Sequence, residues 1–317
     1  MRNDYNDDPF SDTRPNRTGY PPDDIQPNLP PIGYLPRPPA EPVRRRRRRV
    51  PTGCLSILLA LLILAGIYFL LPIRTQLLIL GTDSRDAANP LGRTDTIILT
   101  SIVPLQPEIN MLSIPRDLWI PIPRYGENRI NTAYFFAEAE EPGTGVDFAR
   151  RTINEVFGVN MEYYVLIKFN GIVDVVDAMG GIDIDFPRAM SGYDEGVHHL
   201  DGTQALALVR DRAGADDFFR MERGQLFIRS AIRAFMNPLM LLRLPAVFLA
   251  LPAAAETDLP VWQWPRIALA LLRAGPDGID GRTITREMAT GTFTADGANV
   301  LLPNWERINP VVDELFR

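Results

Sequence analysis

Residues 76–117 read QLLILGTDSRDAANPLGRTDTIILTSIVPLQPEINMLSIPRD, and three short apolar runs inside that stretch decide the fold. Gln76–Leu80, Thr96–Ile102 and Glu108–Ser113 are rich in Ile and Leu and flanked by turn-forming residues, the pattern of strands. Val103 to Pro107 reads as a tight connection between the second and third. With consecutive strands as antiparallel neighbours, the end of the first, the start of the second and the end of the third share one sheet margin. Adjacent strands lie about 5 Å apart. That margin gathers Asp83 from GTDSR, Arg93 and Asp95 from RTDT, and Arg116 and Asp117 from SIPRD. Carboxylates and guanidiniums grouped in this way form either a ligand site or ordinary salt bridges, and this stretch alone does not choose.

Downstream, Tyr163–Phe169 reads as a further strand, and Gly171–Met179 as a helix stopped by Gly180 and Gly181. Ile182–Phe186 alternates apolar and acidic residues, as a half-exposed strand does. Asp201 with Gln204 three residues on makes a capping box for a helix running to Val209. Phe218–Met236 and Pro265–Arg273 read as helices. Strands and helices mixed in one core predict an α/β fold, layered α/β/α around a mixed central sheet.

A second charged group strengthens the ligand reading. Arg210 and Arg212 are two residues apart and point the same way if the segment is extended. Asp217, Arg220 and Arg223 follow at three-residue spacing on one face of the next helix. Side-by-side guanidiniums repel unless an anion lies between them, and a diphosphate matches their fork geometry. Carboxylates plus phosphate oxygens also make the shell that Mg²⁺ prefers.

Upstream the composition changes. Twelve of the 29 prolines fall in the first 51 residues, and residues 1–43 lack long apolar stretches, so disorder is expected there. Arg44 to Arg49 are consecutive arginines, and Val50 to Ile73 carries no charge. A helix of about 20 residues crosses a ~30 Å hydrocarbon core. Positive charge stays inside. The expected organisation is therefore a cytoplasmic tail at 1–49, one transmembrane helix at 50–73 and an extracytoplasmic domain at 74–317, anchored in the cell membrane. Residues 1–50 hold ten Arg and seven acidic residues, a net of +3, which leaves −9 for the rest of a chain whose total is −6. That balance excludes a general nucleic-acid surface. Cys54 is the single cysteine, so no intrachain disulfide forms.

Taken together, LGTDSR at 80–85, RTDT at 93–96, LSIPRD at 112–117, RINTA at 129–133, VDAMGGI at 176–182, HLDGTQAL at 199–206, RDR at 210–212 and DFFR at 217–220 resemble the LytR–CpsA–Psr family of cell-wall polymer ligases. The resemblance implies a Mg²⁺-dependent phosphotransferase. Its substrate would be a glycopolymer such as a teichoic acid on a polyprenyl-pyrophosphate carrier, and its acceptor peptidoglycan. Asp83 and Asp95 match the family's metal-associated acids. Arg93, Arg116, Arg210 and Arg212 match its pyrophosphate-contacting arginines, and Asp217 and Arg220 the motif that follows. Arg129 stands where the family often has lysine. Gly224 stands where the family usually has glutamine, so that phosphate contact is either lost or supplied by Gln225, one place later and at a different helix angle. Asp117 and Asp217 are both candidates for the base. Competing readings are a pyrophosphohydrolase and a non-catalytic envelope protein that binds lipid-linked polymer or regulates wall synthesis.

Three features stay outside this assignment. His198 and His199 lack further Cys or His partners and read as a loop leading to the Asp201 cap. The apolar, proline-broken stretch Pro238–Leu251 reads as core packing, with a lipid-tail groove as the alternative. Trp262 and Trp264 fit either a membrane interface or packing.

Overall fold

The computed structural model describes residues 52–70, 73–82, 92–104, 109–211, 217–275 and 278–317. Helix α1 (Thr52–Leu70) leads into β1 (Thr75–Thr82), β2 (Thr94–Ile102) and β3 (Ile109–Ser113), the three strands expected from the sequence. β1 pairs antiparallel with β2, and β2 with β3. Gly81 faces Thr96 and Ser113 faces Ile98, so the expected sheet margin forms.

A hairpin of β4 (Trp119–Ile122) and β5 (Gly126–Arg129) follows, then α2 (Thr132–Glu140), α3 (Gly145–Phe157) and β6 (Tyr163–Lys168). β6 lies parallel to β1, with Lys168 opposite Thr82. Next come α4 (Phe169–Met179), a hairpin of β7 (Ile182–Phe186) and β8 (Gly196–Leu200), α5 (Gly202–Arg210), α6 (Asp217–Phe235) and α7 (Leu244–Ala254). The chain closes with β9 (Ala255–Thr257), α8 (Trp264–Ala274), β10 (Ile279–Thr283), a hairpin of β11 (Ala289–Phe293) and β12 (Asn299–Pro303), and α9 (Trp305–Phe316). The main sheet runs β10-β3-β2-β1-β6-β9 and is mixed.

Both faces of this sheet are covered, which is why its strands read as nearly continuous apolar runs. Side chains alternate between the faces with period two. Leu78, Leu80, Ile97, Leu99 and Leu112 pack toward Ile153 and Phe157 of α3 and Ile308 and Val312 of α9. Leu77, Ile98, Ile102 and Met111 pack toward Ala270 of α8, with Ile228 and Ile232 of α6 alongside. The α/β/α layering follows directly. Each fully buried Leu or Ile contributes roughly 1.5–3 kcal/mol relative to exposure. A separate core joins Phe169 and Val176 of α4, Ile184 and Phe186 of β7, and Leu208 of α5.

Local signals behave as their chemistry requires. Asp201 accepts from the Gln204 amide and the Gln204 side chain returns the bond, completing the capping box. Gly180, with φ of 82°, ends α4 in the left-handed conformation. Gly171 lets α4 approach α7, since a Cβ there would sit 2.3 Å from the Ala254 Cα.

α1 has 19 residues and no charge, and its described side chains are exposed except in the last turn, where Tyr68 and Phe69 are half-buried. Among the described residues no helix is long and apolar enough to cross a membrane. At 1.5 Å per residue α1 reaches about 28 Å, just under the ~30 Å of a hydrocarbon core. The tail expected at 1–49 lies outside the described residues, as do residues 50, 51, 71 and 72 of the expected span.

Candidate active site

Several elements deliver charged side chains to the margin where β1 ends and β2 begins. Asp95 enters with the first residues of β2, and Arg116 and Asp117 follow β3 after Ile114 and Pro115. Arg116 Nη1 donates to Asp95 Oδ1 at 2.5 Å, and Arg116 Nε lies 3.7 Å from Asp117 Oδ2. Arg129, the last residue of β5, reaches the other Asp117 oxygen at 3.2 Å. Arg220, in the first turn of α6, brings Nη1 to 3.8 Å from Asp95 Oδ1. Arg220, Asp95, Arg116, Asp117 and Arg129 thus form one connected chain of alternating charge. Their side chains are only 16–26% exposed, so water screens them less than it would a surface pair.

Neighbouring contacts fix these groups. Arg129 Nη2 donates to the Asn299 carbonyl at 2.7 Å, and the Leu301 N–H donates to the Asp117 carbonyl at 3.0 Å, so the β11–β12 hairpin braces both. The Asn131 N–H donates to the Arg116 carbonyl, and the Thr132 hydroxyl to that of Arg129. Arg210 closes α5 and donates to Asn170 Oδ1 at 2.8 Å. Asn170 follows β6, whose last residue faces Thr82, so Arg210 stands at the same margin. Arg93 is exposed, with its Cζ 5.7 Å from the centroid of Phe135.

Sequence reasoning placed Arg223 on the charged face of its helix without its partner, and missed two contributors, Asn170 and Phe135. Arg223 is buried and donates to the Asp211 carbonyl at 2.6 Å, with Nη2 3.5 Å from the Asp211 carboxylate. It anchors the start of the segment that carries Arg212. Asn170 and Phe135 support Arg210 and Arg93. Arg223 was legible through the 217, 220, 223 helix face; Asn170 and Phe135 come from distant elements and leave no local pattern.

Gln225 departs from its expected place at the phosphate. Its buried amide nitrogen is directed at the sheet, donating to Ser113 Oγ at 2.9 Å and the Arg282 carbonyl at 2.7 Å. A helix turns about 100° per residue, so moving glutamine from 224 to 225 moves it to another face. His198 and His199 lie in strand β8 rather than a loop, and His199 Nδ1 bonds Asp183 Oδ1 at 2.7 Å. A cavity of about 350 Å³ between β7 and α6 has a mixed wall that includes Asp185, Glu222, Leu226 and Arg229.

Asp83 and Arg212 lie outside the described residues, as does the side chain of Asp217. Among the described residues no group of three or more acids, His or Cys is placed to hold a metal. Mg²⁺ commonly takes one or two carboxylates and completes its shell with substrate phosphate and water. Asp95, partly buried and beside diphosphate-matched arginines, fits as one such carboxylate.

The LytR_cpsA_psr family model matches residues 74–316. The chain belongs to the LytR–CpsA–Psr family. A relative in this family, the polyisoprenyl-teichoic acid–peptidoglycan teichoic acid transferase TagU of Oceanobacillus iheyensis, is 31% identical over 246 residues, covering 76% of this chain and 74% of its own. The regulatory protein MsrR of Staphylococcus aureus is 28% identical over 195 residues, 59% of this chain and 57% of its own. Among solved structures, TagV of B. subtilis superposes with a TM-score of 0.63 at 23% identity, covering 77% of this chain and 96% of that one. TagT bound to LIIa-WTA gives a TM-score of 0.59 at 22% identity, covering 76% and 89%. The LytR–CpsA–Psr fold is therefore shared, and the margin of Asp95, Arg116 and Arg220 sits on its central sheet.

Proposed function

We propose that this chain is a phosphotransferase that moves a glycopolymer from a polyprenyl-pyrophosphate carrier to a hydroxyl of peptidoglycan. The observation that carries the reading is the connected cluster of Asp95, Arg116, Asp117, Arg129 and Arg220, with Arg210 at the same margin. A family relative named as a teichoic acid transferase supports it.

In the proposed reaction the acceptor oxygen attacks the phosphorus that carries the sugar. The new O–P bond forms as the bond to the lipid phosphate oxygen breaks, and polyprenyl phosphate leaves. The acceptor proton passes to a base or to water. Such a transfer depends chiefly on positioning and charge neutralisation. Arg116 and Arg220 would meet the diphosphate, with Arg93, Arg210 and Arg212 around them. Arg129 would act on Arg116 through Asp117. Asp117, with each oxygen facing one arginine, would then be a positioning residue, and Asp217 the remaining acid that could take the acceptor proton in place of water. Asp95 and Asp83 would hold Mg²⁺, which when bound offsets the charge of the leaving phosphate.

The proposed setting is the outer face of the cell membrane. Residues 1–49 would lie in the cytoplasm, residues 50–73 would cross the membrane, and residues 74–317 would face the wall. Protease added to intact cells should cut beyond residue 73 and spare the tail; a protected domain would overturn this topology.

The decisive assay supplies the full chain with a polyprenyl-diphosphate-linked glycan, peptidoglycan and Mg²⁺. Expected products are polyprenyl monophosphate and glycan covalently joined to peptidoglycan, both lost with EDTA. Free glycan phosphate without attachment would identify a hydrolase. No turnover in the presence of demonstrated binding would identify a regulatory binder.

A further inference from the structure

The last turn of α1 is fastened to the region before α8. The Tyr68 hydroxyl donates to the Trp262 carbonyl. The buried Arg266 guanidinium lies 5.5 Å from the Tyr68 ring centroid and donates to the Ile73 carbonyl at 3.2 Å. Tyr68 is two residues from the end of an uncharged helix. If α1 crosses a bilayer, its last turn lies at the outer interface, and so does whatever touches that turn.

What touches it continues into exposed apolar surface. Val261 is 80% exposed, Trp262 55%, Phe248 55% and Leu249 85%. Phe248 stacks on Trp264, with ring centroids 6.4 Å apart, and so joins α7 to the Trp262 region. Residues 244–255 and 259–265 contain no charged side chain. The two acids between these segments are held by the domain itself. Glu256 pairs with Lys168 at 3.1 Å and Asp258 with Arg150 at 2.7 Å. Large exposed apolar groups without neighbouring free charge mark a contact surface. Tryptophan beside the end of a span is the residue favoured at a membrane–water interface.

We propose that the face formed by Phe248, Leu249, Val261 and Trp262 lies against the outer leaflet of the bilayer beside α1, so that the domain is seated on lipid rather than swinging from a tether. The proposal rests on α1 spanning the membrane, and its test separates the two.

In a Cys54→Ser background, single cysteines at Leu249, Val261, Leu62 and Val197 are labelled with an environment-sensitive fluorophore. The full chain is then placed in nanodiscs that contain only lipid. Leu62 lies within α1, and Val197 is an exposed apolar residue of β8 distant in sequence from this face. The expected result is blue-shifted emission at 249, 261 and 62, with quenching at 249 and 261 by lipids carrying a nitroxide near the headgroup, and neither effect at 197. Lipid-buried emission at 62 with water-like emission at both 249 and 261 would overturn the seating and leave the span intact. Water-like emission at 62 would overturn the span and the seating together. Equal blue shifts at 197 and 249 would show that the face has no preference for lipid and would also overturn it.

Discussion

Arg116 touches both carboxylates of the cluster, Asp95 through Nη1 and Asp117 through Nε, so its fork is aimed before any anion arrives. Charge-assisted bonds contribute roughly 1.5–3 kcal/mol each. Each ~1.4 kcal/mol lost from transition-state stabilisation slows the reaction about tenfold. Arg116→Ala should therefore lower polymer transfer by about one to two orders of magnitude in a product-release assay. Arg210→Lys keeps the charge but loses the fork that meets Asn170, and should retain only part of the activity that Arg210→Ala loses. Wild-type rates in both Arg116→Ala and Arg210→Ala would show that these arginines are structural rather than substrate-binding. Asp95→Asn removes the charge proposed for Mg²⁺ while keeping the shape. Its turnover should need more Mg²⁺, seen as a rightward shift of the metal titration, with the melting temperature little changed. An unshifted titration would dismiss Asp95 as a metal ligand.

At the scale of elements, α6 performs two tasks with neighbouring residues. One face carries Arg220 and Arg223 to the sheet margin, and Gln225 ties the helix to β3 and β10. Gln225→Ala would leave the Ser113 hydroxyl and the Arg282 carbonyl without that partner in a buried setting, at a cost of roughly 1–3 kcal/mol. Urea melts should register that loss, with affinity for inorganic pyrophosphate nearly unchanged; the reverse pattern would return Gln225 to the phosphate. A Cβ at Gly224 would meet nothing within 4 Å. Gly224→Ala should therefore stabilise the helix by about 0.5–1 kcal/mol, again read by urea melts. These two residues also show where the sequence was legible. The strands β1, β2 and β3 declared themselves through apolar runs and turn residues, and their margin followed from the strand order. The Asp201 cap was legible because its chemistry is local. The β4–β5 and β11–β12 hairpins were not: β5 and β11 mix charged, glycine and threonine residues, β4 and β12 are short and each carry a proline, and the hairpins acquire meaning only by bracing Arg129 and Asp117. The direction of Gln225 depended on helix phase against the sheet, which residue spacing alone does not supply.

For the molecule as a whole, β1 is fastened at one end and carries the site at the other. Arg74 and Gln76 donate to the Leu315 and Phe316 carbonyls at the end of α9, while Gly81 and Thr82 lie at the charged margin. The site therefore depends on the layer of α2, α3 and α9 remaining packed on the sheet. Tyr134 of α2 reports on that packing. It is buried within the same core as Ile153 and Ile308, and burial pushes its phenol up to about 12, with the charges of Glu138 and Glu256 acting in the same direction. An unfolded tyrosine titrates near about 10. Because the folded value is the higher one, the neutral phenol's contribution to stability is fully present below about pH 10 and is lost as pH rises toward about 12. Tyr134→Phe keeps the ring and removes the titration. Tyr164, also raised chiefly by burial, remains in both proteins and adds the same slope to each. Melting temperatures measured across pH 9 to 12 should thus fall more steeply for the wild type than for Tyr134→Phe. The two curves should run parallel below about pH 10, where neither state of the phenol ionises. Parallel curves over the whole range would mean that the Tyr134 phenol titrates alike in the folded and unfolded chains. In that case the packing of α2 against the sheet would be loose enough to admit water, and the bracing of Arg129 through the adjoining Thr132 contact would lose its foundation.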